Sequence, residues 1–319
     1  MASSNTLPTS GIPLFKLFGI QVYLHWSWVL VAIFEIQNRR GNYGFIGWNI
    51  GEYLALFGIV LMHEFGHSLA CKSVGGRADR IMLWPLGGVA FVSPPQRPGA
   101  VLWSIAAGPL VNVILMPITI GLAAFTGGLG NWLNQAPMTD MQHFLFFIAF
   151  VNVFLFAFNM LPIYPLDGGQ ILRAILWYFI GAGRSLMVAS VIGMIGAAAG
   201  LALALWTQNF WLVLLAGFAA IQSWAGFQQS KAIRAVYDVP RRAGMKCPGC
   251  GNAPPVGPIW VCRCGNPLDV FETQGRCPKC GIVLPMLPCP FCRRAFPAEA
   301  WLTNEASPYV PSPGTPGEG

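Results

Sequence analysis

Six apolar stretches dominate the first 229 residues of this 319-residue chain: 19–36, 50–74, 100–125, 141–161, 185–206 and 210–227. Each is close to the roughly 20 residues that carry a helix through the ~30 Å of bilayer hydrocarbon. No single water-soluble core absorbs that much apolar chain. The composition agrees: 55% of residues are hydrophobic and 10% charged, against about 25% charged in soluble domains. The expected fold class is therefore an all-α polytopic membrane protein, a six-helix transmembrane bundle spanning 19–229, preceded by an N-terminal arm over 1–18. The first stretch does not read as a cleaved signal peptide. Lys16 is the only charge before it, and it runs into Glu35-Ile36-Gln37-Asn38-Arg39-Arg40 without a small-residue cleavage site.

An even number of spans puts both termini on one side. With the N-terminus inside, the inner segments collect Lys16, Lys72, Arg77, Arg80, Arg97, Arg173, Arg184, Lys231, Arg234, Arg241 and Arg242, and the outer ones only Arg39 and Arg40. The bias of basic residues to the inner face predicts a multi-pass protein of the cell membrane with both termini cytoplasmic. The same placement accounts for the net charge of +7 by topology rather than by a nucleic-acid groove.

Two inner segments are not simple spans. Residues 81–92, IMLWPLGGVAFV, are two short apolar runs about Gly87-Gly88 and predict a β-hairpin, with Pro85 suited to an edge strand. Residues 159–172, NMLPIYPLDGGQIL, carry two prolines and two glycines, so helix cannot run through them unbroken. Such backbone is tolerated at membrane depth where protein buries it or where it lines a watery cavity. In the fifth stretch, Gly196 and Gly200 form a small-residue face that suits close packing within the bundle or dimerisation.

Residues 61–70, LMHEFGHSLA, place His63, Glu64 and His67 inside an apolar span. On a helix, histidines four apart face the same way one turn apart, where two ring nitrogens can share one Zn²⁺. The glutamate between them is placed to take a proton from an attacking water. Ionisable groups in a membrane span are costly, about 2.5–3.5 kcal/mol each when charged, and by default functional. A catalytic zinc takes three protein ligands and leaves one position open. Asp140 and His143 begin the fourth span on the outer side, too far away, and Asp79 has Arg77 and Arg80 for company. Asp167, in the broken segment before Gly168-Gly169, is the best third ligand. Its alternative role is to cap a short helix over 170–179. Asn159 and Asn112 are candidates to hold the substrate or polarise its carbonyl, against an alternative as interhelical hydrogen-bond glue. Asn152 reads as packing, His25 as an interfacial residue and Cys71 as a small buried hydrophobe.

The segments HEFGH and NMLPIYPLDGG together resemble the site-2 protease family of intramembrane zinc metalloproteases. Asn159, Pro162, Leu166, Asp167 and Gly168 fit every position of that family's Asn-x-x-Pro-x-x-x-Leu-Asp-Gly motif. Leu24-His25-Trp26-Ser27, PLGGVA at 85–90 and AAGPLVN at 106–112 look like the family too, so the resemblance covers about 12–228. It implies zinc held by His63, His67 and Asp167, Glu64 as catalytic base, and single-span membrane proteins as substrates. A helical substrate must unwind before its carbonyls are free, and the 81–92 hairpin offers a strand edge to pair with it.

Beyond a basic linker over 230–246 the composition changes. Eight of the nine cysteines fall in four pairs, Cys247/Cys250, Cys262/Cys264, Cys277/Cys280 and Cys289/Cys292. The spacing predicts a double zinc-ribbon module over 247–292 with two zinc sites of four thiolates each. Disulfides are the rival, disfavoured in a reducing cytoplasm. Which pairs share a metal is open. The module suits a protein partner better than nucleic acid, and 293–319 reads as a disordered tail. The rivals to proteolysis are a silent scaffold acting through its ribbons and a metal transporter. An intact Glu64 speaks against the first, and a single ligand cluster against the second.

Overall fold

The computed structural model describes residues 11–38, 43–84, 87–237, 239–292 and 294–301. Among them, five helices are long and apolar enough to cross a membrane: α2 (Ile46–Ser73), α3 (Pro98–Phe125), α5 (Asp140–Asn159), α6 (Asp167–Thr207) and α7 (Phe210–Tyr237). A short α4 (Gly128–Leu133) joins α3 to α5, and Thr139 with Gln142 forms a capping box at the start of α5.

The first expected span is not a helix throughout, and the six-helix count is corrected accordingly. Gly11–Leu17 (β1) and Ile20–His25 (β2) form a hairpin, and only Ser27–Asn38 (α1) is helical. The composite still runs alongside α2. Lys72 Nζ donates to Phe18 O (2.8 Å) at one end, and Tyr53 Oη donates to Trp28 O (2.9 Å) further along. Six residues of strand and twelve of helix reach about 20 Å and 18 Å respectively. The first apolar stretch is thus half strand and half helix. The reason lies in the partner: β2 pairs in parallel with β3 (Arg77–Trp84), which pairs with β4 (Gly87–Ser93), giving the sheet order β1-β2-β3-β4. The expected 81–92 hairpin is therefore the far half of a four-stranded sheet, and its Pro85 lies outside the described residues. Ile20, Val22, Ile81 and Leu83 from β2 and β3 pack with Trp28 and Val60 into one core, which fastens the sheet to α2.

The expected short helix and fifth span are both present, two helices that run together as α6 and meet at a kink at Gly181 (φ 80°, ψ 166°). That conformation strains any residue with a Cβ. The small-residue face of α6 is used internally: a Cβ on Gly196 would meet Ile163 at 2.8 Å, and one on Gly200 would touch Ala216 of α7.

The cysteine-rich part has its own small core, with Trp260, Leu268, Val270, Leu287 and Trp301 buried among cysteines. It holds two two-stranded sheets: β5 (Trp260–Val261) with β6 (Pro267–Leu268), and β7 (Leu287–Pro288) with β8 (Ala295–Phe296). The core extends past the expected limits, since Lys246 N donates to Trp301 O (2.9 Å) and Arg241 bridges to Pro255. At the other end, α7 continues to Tyr237, into the expected linker.

Candidate metal centre

One turn of α2 separates His63 from His67, and their rings meet edge to face with centroids 4.7 Å apart. The Nε2 atoms stand 3.0 Å from each other. Asp167, the first residue of α6, brings Oδ2 to 3.0 Å from His63 Nε2 and 3.4 Å from His67 Nε2. It arrives there because the α6 start is pressed against the broken segment. A Cβ on Gly168 would lie 2.4 Å from Met160 O, and one on Gly169 would lie 2.4 Å from Tyr164 N. Leu166, not Asp167, stands at the N-cap position of α6, and no side chain caps the helix there. The segment is held from α7 by Ser223 Oγ, which donates to Tyr164 O (2.7 Å).

The far side of each imidazole is fixed as well. Asn112 Oδ1 lies 2.6 Å from His63 Nδ1, and Ser104 O lies 2.9 Å from His67 Nδ1. Both partners are carbonyl oxygens, which only accept, so each Nδ1 carries the proton and each Nε2 turns its lone pair inward. Helix α3 comes this close because residue 108 is glycine: a Cβ there would sit 2.3 Å from the His67 ring. Asn112 is itself held, donating Nδ2–H to Asn152 Oδ1 (2.8 Å), while Asn152 Nδ2 donates to Asn112 O (3.0 Å). His63, Asn112 and Asn152 thus form one buried polar chain across three helices.

Glu64 lies beside the three groups, 6% exposed. Strand β4 passes directly over it. A Cβ on Gly88 would fall 2.3–2.6 Å from atoms of the Glu64 side chain, and the Ala90 N–H faces its carboxylate. The three groups and Glu64 open onto a cavity of about 550 Å³ walled by β4 on one side and by α5, α6 and α7 on the other. Its lining is mainly apolar, including Val89, Phe91, Phe158 and Phe218.

The donor set fits a small divalent cation. Two imidazoles and a carboxylate suit zinc, and bond lengths of ~2.0–2.2 Å in a tetrahedron separate ligand atoms by about 3.3 Å, close to the 3.0–3.4 Å seen here. Each histidine has the outer hydrogen bond that metal-binding imidazoles almost always have.

The remaining candidates separate cleanly. Asn159 lines the cavity. Asn112 stands behind His63 and away from the cavity, with its amide engaged, so of its two expected roles it takes the interhelical hydrogen bond and not the substrate contact. Asn152, expected as packing, anchors Asn112. His25 contacts Ser27 and stacks on Trp84 at 4.5 Å. Cys71 is fully buried, with Sγ donating to Arg77 O (3.4 Å). Gln170 and Gln222 also line the cavity; a lone amide in the apolar run at 222 is the signal that the sequence offers for them.

All nine cysteines are free thiols, and eight fall into two clusters. Cys247 and Cys250 join Cys289 and Cys292, while Cys262 and Cys264 join Cys277 and Cys280. The pairing is nested, first with fourth and second with third, so adjacent pairs at the start of the module do not share a site. Sγ–Sγ distances of 3.5–3.8 Å match the ~3.75 Å of four thiolates around zinc at about 2.3 Å. The Cys280 backbone N–H holds the Cys277 thiol below its usual value, while the crowding of the other thiols pushes Cys280 up.

The family model of Peptidase family M50 matches residues 52–131 and 128–203, which hold α2, β3, β4, α3, α5 and most of α6. The membrane-spanning part of the chain is thus similar to peptidase family M50 over about half of the chain's length. A zinc metalloprotease of Methanocaldococcus jannaschii is 33% identical to it over 207 residues, 65% of this chain and 58% of the relative. Stage IV sporulation protein FB of Bacillus subtilis is 28% identical over 159 residues, 48% of this chain and 46% of the relative. The solved site-2 protease from M. jannaschii is 28% identical, with a TM-score of 0.49 over 68% of this chain and 95% of that one. The chain spans between 44% and 58% of the length of the first curated relatives it matches. The chain is a multi-pass membrane protein, and the family match ends well before the cysteine module begins.

Proposed function

We propose that this chain is an intramembrane zinc endopeptidase that cuts single-span membrane proteins within or near their membrane segment. The observation that carries the reading is the convergence of His63 Nε2, His67 Nε2 and Asp167 Oδ2 beside Glu64, at the edge of an apolar cavity. These three residues would hold the zinc. Bound there, zinc would polarise a peptide carbonyl and make water acidic enough to be deprotonated near neutral pH. Glu64 takes the proton of the attacking water and passes it to the departing amine. Asn112 and Ser104 keep the two imidazoles oriented. Strand β4 presents its free edge to the unwound substrate, and Asn159 contacts that substrate from the opposite wall.

The distribution of basic residues supports cytoplasmic termini in a cell membrane. The two cysteine clusters would each hold one structural zinc, and the module they fold serves to dock a protein partner. The test of the activity is a tagged single-span substrate expressed with the wild type and with Glu64→Ala. Cleavage by the wild type alone is expected; cleavage by both would sink the reading.

A further inference from the structure

An extended peptide has two hydrogen-bonding edges, and at membrane depth both need partners, because an unsatisfied backbone group there costs several kcal/mol. Strand β4 serves only one. Across the cavity stand α5, the start of α6 and α7, and outside the candidate ligand set their polar side chains on the lining are three carboxamides: Asn159, Gln170 and Gln222. They come from three different helices and face one space.

Two of the three have no hydrogen bond to any described residue: the Asn159 and Gln222 side chains neither donate nor accept within the bundle. A transmembrane amide that served as interhelical glue would be bonded to a neighbouring helix, as Asn112 and Asn152 are. Next to Gln222, Ser223 bonds to Tyr164 O, while Gln222 and Phe218, one turn apart on α7, point into the cavity. Gln170 is partly engaged in a way that fixes its direction. Its Nε2 donates to Pro165 O (2.9 Å), a carbonyl that can only accept, so the amide cannot be flipped and its Oε1 remains to receive a donor.

We propose that Gln170 and Gln222 are substrate-positioning residues that, with Asn159, satisfy the second backbone edge of an extended peptide whose first edge lies on β4. The inference rests on the reading of this cavity as a peptide-cleaving site. The chemistry suits the task. A carboxamide offers a donor and an acceptor without charge, so it meets backbone N–H and C=O alike and reads no side chain. Selection then falls on chain conformation, and the apolar walls take whatever apolar side chains the segment carries. Gln170 is the acceptor of the set and takes a substrate N–H; Gln222 is free to serve either group.

The test uses full-length protein carrying Glu64→Gln, so that a bound substrate is not consumed, and measures binding of a synthetic transmembrane peptide in detergent micelles. Gln222→Leu is expected to weaken binding about five- to tenfold, the loss of one hydrogen bond, with unchanged zinc content and melting temperature; Gln170→Leu is expected to weaken binding as much and to melt lower, because it also loses the bond to Pro165 O. A scan of the peptide with single backbone ester bonds, each deleting one N–H, supplies a readout that a purely structural role would not move. One ester is expected to weaken binding to the Gln170-containing protein and to have no further effect in Gln170→Leu. Additive losses at every ester position, or binding unaffected by both substitutions, would overturn the assignment. The proteolytic reading is checked separately by cleavage of the unmodified peptide with wild-type protein. If that cleavage occurs and the amide variants behave as wild type, the inference alone falls.

Discussion

Replacing Asn112 with leucine separates two roles that an asparagine can have in such a site. The side chain is fully buried, its Oδ1 2.6 Å from His63 Nδ1 and its Nδ2 2.8 Å from Asn152 Oδ1. Leucine removes the acceptor that fixes the His63 tautomer, and outer hydrogen-bond partners of this kind are worth about 10–100-fold in metal affinity, or roughly 1.4–2.7 kcal/mol. It also strands Asn152 Oδ1 in the bundle, at a cost of about 1–3 kcal/mol in stability. Asn112→Asp keeps an acceptor for His63 and is expected to hold metal more tightly than Asn112→Leu. The assay is competition between the purified protein and a graded series of chelators, followed with Co²⁺, whose spectrum distinguishes four thiolates from two imidazoles and a carboxylate. If Asn112→Leu binds metal as tightly as the wild type and loses only turnover, the asparagine acts on the substrate and the positioning argument is refuted.

Gly88→Ala pushes a methyl to within 2.3–2.6 Å of the Glu64 side chain, so either β4 or the base must shift. Turnover is expected to fall ~100-fold, the scale of a 1 Å misplacement, with metal content intact; a wild-type rate would refute the contact. The nested cysteine pairing predicts metal counts. Cys247→Ser with Cys292→Ser removes one structural zinc, while Cys247→Ser with Cys264→Ser removes two, as read by elemental analysis of the purified protein. Equal losses would reject the pairing.

The candidate centre is legible in the sequence because its chemistry is local. His63, Glu64 and His67 lie within five residues of one helix, and the depth of each span, with the arginines beside Asp79, leaves Asp167 as the third ligand. The form of the first apolar stretch is not legible, since 19–36 has the hydropathy of a helix, and what turns its first half into strand is pairing with Arg80–Leu83, about sixty residues away. Tertiary pairing of this kind overrides a local signal. Asn112 escapes a sequence reading for a related reason: its distance from the motif says nothing about which side of His63 it occupies, which depends on α3 approaching through Gly108. The cysteine pairing stays open at that level because spacing fixes the knuckles and not their partners.

Strand at membrane depth gives the sheet two edges to account for, and the protein treats them oppositely. The outer edge, β1, carries Pro13, Lys16 and a register shift at Pro13/Phe15, the usual devices that keep an edge strand from pairing. The inner edge, β4, has no proline and no charge over Gly87–Ser93 and borders the cavity that holds Glu64. An intact substrate helix, its carbonyls already bonded along its own axis, has nothing to offer such an edge. An extended segment does, and it satisfies β4 as β4 satisfies it. The strand that the hydropathy pattern conceals in the first apolar stretch pairs with β3, and so helps to hold the open edge of β4 against Glu64; it ties the fold of the N-terminal segment to the chemistry on α2.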